Sequence, residues 1–225
     1  MAKGKTLWEM LTDKLLGPVE SKVYNPLRAK VGNAMMIDTI EWRDFNFFVR
    51  QIAEYRRRIG GKDFLFVDYV LLARPLNADD VLVELRLNPV DDPENYGGMT
   101  HHALLLRLDD EFAYSEDFHK VLTDDTGKFQ VLEDGIVTEE FFRLNDVQQA
   151  YKAQVTVIAD FNKDKRLDRG EVRKHRLEYW DYVREVKDEA GQPKREYLFI
   201  EMATRDGWFQ IWRGSEIDAQ KVLVM

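Results

Sequence analysis

The chain has 225 residues, with 33 Lys+Arg against 41 Asp+Glu, so its formal net charge is −8 with histidines neutral. An acidic field of that size repels nucleic acid and anionic membranes in general, and 44% hydrophobic with 33% charged residues excludes a disordered chain. The absence of cysteine removes a disulfide framework, a thiolate zinc site and a Cys nucleophile together, and with no signal or spanning segment legible after residues 1–5 the expectation is a soluble, cytoplasmic protein.

The first predicted element is a short helix. Thr6-Leu7-Trp8-Glu9 has capping-box spacing, Leu7, Leu11 and Leu15 share a face, and Gly17-Pro18 ends the run. Trp8 with Lys3, Lys5 and Lys14 suits this helix to a membrane surface or a partner, and equally to docking on its own protein. From residue 24 the pattern turns to strands. Residues 45–55, 63–73 and 80–87 form one β-meander, punctuated by Gly60-Gly61 and by residues 75–79. A second meander spans residues 175–186, 195–203 and 208–213. The two overlay: Phe64-Leu65-Phe66-Val67-Asp68 matches Tyr197-Leu198-Phe199-Ile200-Glu201, Glu54-Tyr55 matches Glu178-Tyr179, and residues 81–86 match 208–213 in pattern only. An internal duplication explains this, as does the shared composition of any two buried meanders. Between them, residues 104–108, 128–132 and 136–144 read as extended and 115–122 as a helical turn or two. Val147, Ala150, Tyr151, Val155 and Ile158 then recur at helical spacing, which predicts a helix capped by Asn145 or Asp146.

That helix leads into Asp160-Phe161-Asn162-Lys163-Asp164-Lys165-Arg166-Leu167-Asp168-Arg169-Gly170-Glu171. A twelve-residue calcium loop needs side-chain oxygens at its first, third and fifth positions, a carbonyl at the seventh, a water-bridging ligand at the ninth and a bidentate carboxylate at the twelfth. Here those are Asp160, Asn162, Asp164, the carbonyl of Arg166, Asp168 and Glu171. With Leu167 at the apolar eighth position, the segment resembles the EF-hand family over these twelve residues and the preceding helix. The resemblance implies a single Ca2+ site of structural rather than sensor kind, since no second loop is present to pair with it. Lys165 stands where the family carries glycine, which strains the turn by roughly 1 kcal/mol and sets a positive charge against the ion. Lys163, Lys165, Arg166 and Arg169 cancel the four carboxylates, so affinity suffers. A solvated connection rich in turn formers accounts for the same residues without an ion.

Other clusters are looser. His101-His102 with Asp109, Asp110, Glu111 and His119 offers the ingredients of a metal-dependent hydrolase, although adjacent strand residues face opposite ways. Arg56-Arg57-Arg58 suits phosphate or simply a solvated hairpin end. Trp208, Gln210 and Trp212 alternate with Phe209 and Ile211, which makes their strand apolar on both faces and therefore central. Together these readings predict an α+β protein, mainly antiparallel β, with two related β-meanders forming a sandwich or barrel-like body and peripheral helices. They divide it into residues 1–23, 24–144 and 145–225. The chain as a whole resembles uncharacterised β-rich intracellular bacterial proteins, which implies no activity. The functional expectation is a non-catalytic binding or assembly protein that engages another protein or a second copy. A hydrolase at His101/His102 and a membrane-surface adaptor acting through the first helix are the alternatives.

Overall fold

The computed structural model describes residues 26–39, 41–42, 45–59, 62–75, 81–89, 94, 101–144, 150–160, 173–188, 190–203 and 207–225. These contain β1 (Ala34–Ile37), β2 (Phe45–Ile59), β3 (Lys62–Pro75), β4 (Val81–Pro89), β5 (His101–Ala113), β6 (Lys128–Glu133), β7 (Ile136–Arg143), β8 (Tyr151–Asp160), β9 (Arg173–Lys187), β10 (Pro193–Ala203), β11 (Trp208–Ile217) and β12 (Val222–Val224). One α-helix, α1 (Glu116–Leu122), and a 3-10 turn at Ala219–Lys221 complete them. No helix among the described residues is long and apolar enough to cross a membrane.

All the strand pairs are antiparallel, and eight strands close on themselves in the order β2-β3-β4-β5-β11-β10-β9-β8, with β8 bonded to both β9 and β2. A ring of this size encloses a lumen just wide enough to be filled by side chains. Closure depends on the two 15-residue strands, each of which serves two neighbours along one edge. β2 pairs with β1 at Phe47 and Phe48 and with β8 from Gln51 to Arg57. β9 pairs with β8 up to Tyr179 and with β7 at Tyr182 and Val183. The strands that leave the ring, β1-β12 on one side and β7-β6 on the other, fold back over its outer faces.

Three apolar regions result, because successive strand residues point to opposite faces. Outside β2–β5, Phe47, Val49, Tyr69, Leu71, Val83, Leu85 and Leu105 are buried under Ala29, Val31, Trp42, β1 and β12. Outside β9–β11, Trp180, Tyr182, Leu198, Ile200 and Phe209 are buried under Leu122, Phe129 and Phe141. The lumen holds Tyr55, Phe66, Val155, Leu177 and Tyr179 in one cluster and Leu104, Leu106, Tyr197, Phe199 and Trp212 in another. Local chemistry sets the lobe covers: Ser115 caps α1 by accepting from the Phe118 amide at 3.3 Å, and Asp134 and Gly135, both at positive φ, turn β6 into β7. Each large side chain so buried contributes roughly 1.5–3 kcal/mol.

The two meanders and the strand at Leu104–Leu108 are present as expected, and the body is a closed barrel. The helical content is not. β8 runs as a strand where helical spacing predicts a helix over residues 150–158, so the entering element of the acidic segment is extended. Val155, Thr156, Val157 and Ile158 are β-branched, and the 151–153–155–157 alternation coexists with the helical spacing; pairing on both edges decides in favour of strand. The expected first helix, and residues 145–149 that hold the start and cap of the second expected helix, lie outside the described residues. With one seven-residue helix, the described chain is all-β rather than α+β. The division at residue 144 is crossed four times by strand pairing, β1 with β12, β2 with β8, β5 with β11 and β7 with β9.

Candidate functional site

An arginine inside a barrel costs several kcal/mol to desolvate unless carboxylates meet it. In β4, the alternation Leu82-Val83-Glu84-Leu85-Arg86 turns Glu84 and Arg86 into the lumen, and Arg86 is only 2% exposed. Its Nε donates to Asp68 at 3.1 Å and its Nη2 to Asp68 at 3.0 Å, to Glu84 at 3.3 Å and, across the lumen, to Glu201 of β10 at 2.8 Å. The guanidinium lies 4.7 Å from the Phe66 ring centroid, 4.9 Å from Phe199 and 5.6 Å from Tyr55. Three carboxyl groups surround one cation, so protonation redresses the balance. Burial, then the charges of Asp68 and Glu201, push the Glu84 carboxyl well above the usual range, and burial likewise raises Glu201 against the pull of Arg86. Burial opposes the Arg86 charge, but Asp68, Glu201 and Glu84 outweigh it and hold the guanidinium protonated.

Elsewhere along the lumen-facing positions, His102 Nε2 lies 3.2 Å from Glu216 Oε1, and the Tyr197 hydroxyl donates to the same oxygen. The close approach of His102 lowers the Glu216 carboxyl to about 2, while burial and then Glu216 itself raise the Tyr197 phenol to about 12.

On the outer face, Arg184 and Arg213 are pinned by the same two acids. Arg184 bonds Glu196 at 2.6 Å and Glu139 at 2.8 Å; Arg213 bonds Glu196 at 2.7 Å and Glu139 at 2.6 Å. Both guanidiniums stack on Phe141, at 4.7 and 5.6 Å. A groove of about 480 Å³ runs beside them across β5, β11, β10 and β9, lined by Trp42, Arg107, Arg184, Lys194, Glu196 and Arg213 among others. A second cleft of about 660 Å³ lies between β7 and the end of β9, where Phe142, Leu144 and Val186 alternate with Glu139, Glu140, Glu185, Arg184 and Arg195.

The sequence-predicted clusters are distributed as follows. Asp160 is the last residue of β8, and Asn162, Asp164, Arg166, Asp168 and Glu171 lie outside the described residues, among which no group of three metal-ligating side chains occurs. His101 and His102 open β5, whereas Asp109, Asp110 and Glu111 lie near its other end, about 25 Å away at strand rise. His119 is on α1 beside Tyr114 and Trp180. The acid that meets His102 is Glu216. Arg56 is exposed and 3.7 Å from Glu54. Trp180 and Phe209 pack in the outer core and Trp212 in the lumen, whereas Trp208 is exposed.

Sequence reasoning missed the arginine box, although its signal was present as single charges inside apolar runs, Phe66-Val67-Asp68, Glu84-Leu85-Arg86 and Ile200-Glu201-Met202. The overlaid pairs Phe66/Phe199 and Asp68/Glu201 both converge on Arg86. The last segment of the overlay slips by three residues: Asp68 faces Arg86 in register, and Glu201 faces Gln210, so Arg86 corresponds to Gln210 and not to Arg213.

Fold and site together define a closed antiparallel β-barrel with a buried charge cluster in an otherwise largely apolar lumen and two covered outer lobes. Comparison with protein-family models, curated proteins and solved structures finds no match to the chain.

Proposed function

We propose that this chain is a non-catalytic binding or assembly protein of the cytoplasm, a rigid barrel presenting surface sites to another protein, a second copy or a ligand, and carrying one structural calcium loop. The observation that carries the reading is that its ionisable groups are locked into mutual pairs. Arg86 with three carboxyls, and Arg184 and Arg213 with Glu139 and Glu196, hold strands together across the fold. Glu216 and Tyr197, the shifted groups beside His102, move away from neutrality in opposite directions, whereas proton transfer at neutral pH is served by groups moved toward it.

The calcium part rests on the spacing of Asp160, Asn162, Asp164, Arg166, Asp168 and Glu171 in the sequence. Residues 161–172 join β8 to β9, and β8 is the strand that closes the ring, so an ion bound there ties the closing strand to its neighbour. Calcium is expected to raise the melting temperature of the protein, and Glu171→Gln to abolish that rise by removing the bidentate ligand. An unchanged melting curve in millimolar calcium removes the ion from the account.

A further inference from the structure

We propose that the groove between the two lobes binds a small phosphorylated anion. Its lining carries four cations, Arg107, Arg184, Lys194 and Arg213, against two carboxylates, Glu41 and Glu196, in a chain whose overall charge is −8. With Glu139 on both arginines and Asp109 on Arg107, the groove is locally balanced where the chain as a whole is acidic, and its size of about 480 Å³ falls in the range of small-molecule sites. The neighbouring cleft between β7 and β9 shows no such surplus, since Glu139, Glu140 and Glu185 outnumber Arg184 and Arg195 there.

The arrangement is also pre-organised. Glu196 uses both oxygens on Arg184 Nε and on Arg213, so its charge is already answered and does not repel a ligand as a bare carboxylate would. Glu139 takes the Nη2 groups of both arginines, and Phe141 supports both planes. The bonds to Glu139 and Glu196 engage Nε and Nη2 of each guanidinium, which holds its Nη1 group in a fixed orientation. The ordering cost of two long side chains is met by the fold before any ligand arrives. Lys194 is exposed, and among the described residues it has no ion pair; Arg107 has only the exposed Asp109 at 3.3 Å. Fixed planar donors flanked by Lys194 and the exposed Arg107 suit the oxygens of a phosphate dianion.

Inorganic pyrophosphate is the probe, titrated calorimetrically into the full chain at low ionic strength. Saturable one-site binding is expected, with Lys194→Glu and Arg107→Glu each weakening it by about ten-fold or more while melting as the parent does. Lys221→Glu, on the 3-10 turn and outside the groove, is expected to bind as the parent. Absence of saturable binding, or equal weakening by all three variants, overturns the site, the second because it marks diffuse electrostatics. The inference rests on the reading of a binding protein, and the outcomes separate the two: release of orthophosphate from the probe keeps the groove and overturns the non-catalytic reading. Loss of the pyrophosphate signal beside an intact calcium shift overturns the groove alone.

Discussion

Arg86 concentrates the chemistry of the lumen in one side chain. Removing it leaves Asp68, Glu84 and Glu201 buried with no cation, and Arg86→Met is expected to cost about 3–5 kcal/mol by chemical denaturation. Glu84 is the complementary probe. Its native carboxyl titrates above its unfolded value, so the folded state holds a proton that the unfolded chain releases. The corresponding stabilisation is complete below the unfolded value and is lost as pH rises through the raised native one. Glu201 acts in the same direction. Glu216, lowered to about 2, acts oppositely, its contribution fading only as pH falls from the unfolded value towards 2, and Tyr197 titrates near 12. Between pH 5 and 8 the lumen carboxyls therefore dominate among these groups. Glu84→Gln, which cannot ionise, is expected to flatten the decline in melting temperature over that interval; parallel slopes in the two proteins would sink this assignment. The sequence held half of the box in view, because Asp68 and Glu201 fell on each other in the overlay. Arg86 stayed hidden, since its counterpart across the barrel is Gln210 and no alignment of like residues leads to it.

At the level of elements, β5 and β11 approach closely at Gly214. Gly214 faces Leu106 and Tyr197 in register, and a Cβ there would overlap the Leu105 carbonyl oxygen and come within 2.8 Å of Leu106 Cα. Backbone cannot yield as a flexible side chain does. Gly214→Ala is expected to destabilise the protein by about 3 kcal/mol, the upper part of the overpacking range, readable as a lowered denaturation midpoint with an unchanged slope. Elements were legible where the pattern had a single solution. Alternating Phe, Val, Tyr and Leu between glycine and proline turns admits only strands, and all six meander strands appear. Residues 150–160 admitted two periods at once, and the choice between them was made by β2 and β9, which lie about 100 residues upstream and 20 downstream. A local window contains neither.

For the whole molecule, the ring gives every member strand two neighbours, whereas β6 has only β7 and ends the sheet. Amides of β6 are therefore expected to exchange with solvent faster than those of Phe199–Met202 in β10 by about two orders of magnitude or more, measured by mass spectrometry on the native protein. Equal protection would show that the sheet opens only as one unit. The barrel itself was legible as one of two architectures, sandwich or barrel, because composition specifies strands and faces but not closure. Closure rests on β8 finding both partners, which is a property of long-range pairing.

The arginine box carries an implication for how the chain is divided. Its cation and two of its acids, Asp68 and Glu84, come from the first part of the polypeptide, and the third acid, Glu201, from the second. Severed between β7 and β8, the amino-terminal fragment would lack β8 to β11 and the carboxyl-terminal one would bring an orphaned anion with no guanidinium to receive it. Neither piece is self-sufficient, and each carries the counter-charge that the other requires, so complementation of the two fragments in trans is built into the electrostatics of the interior.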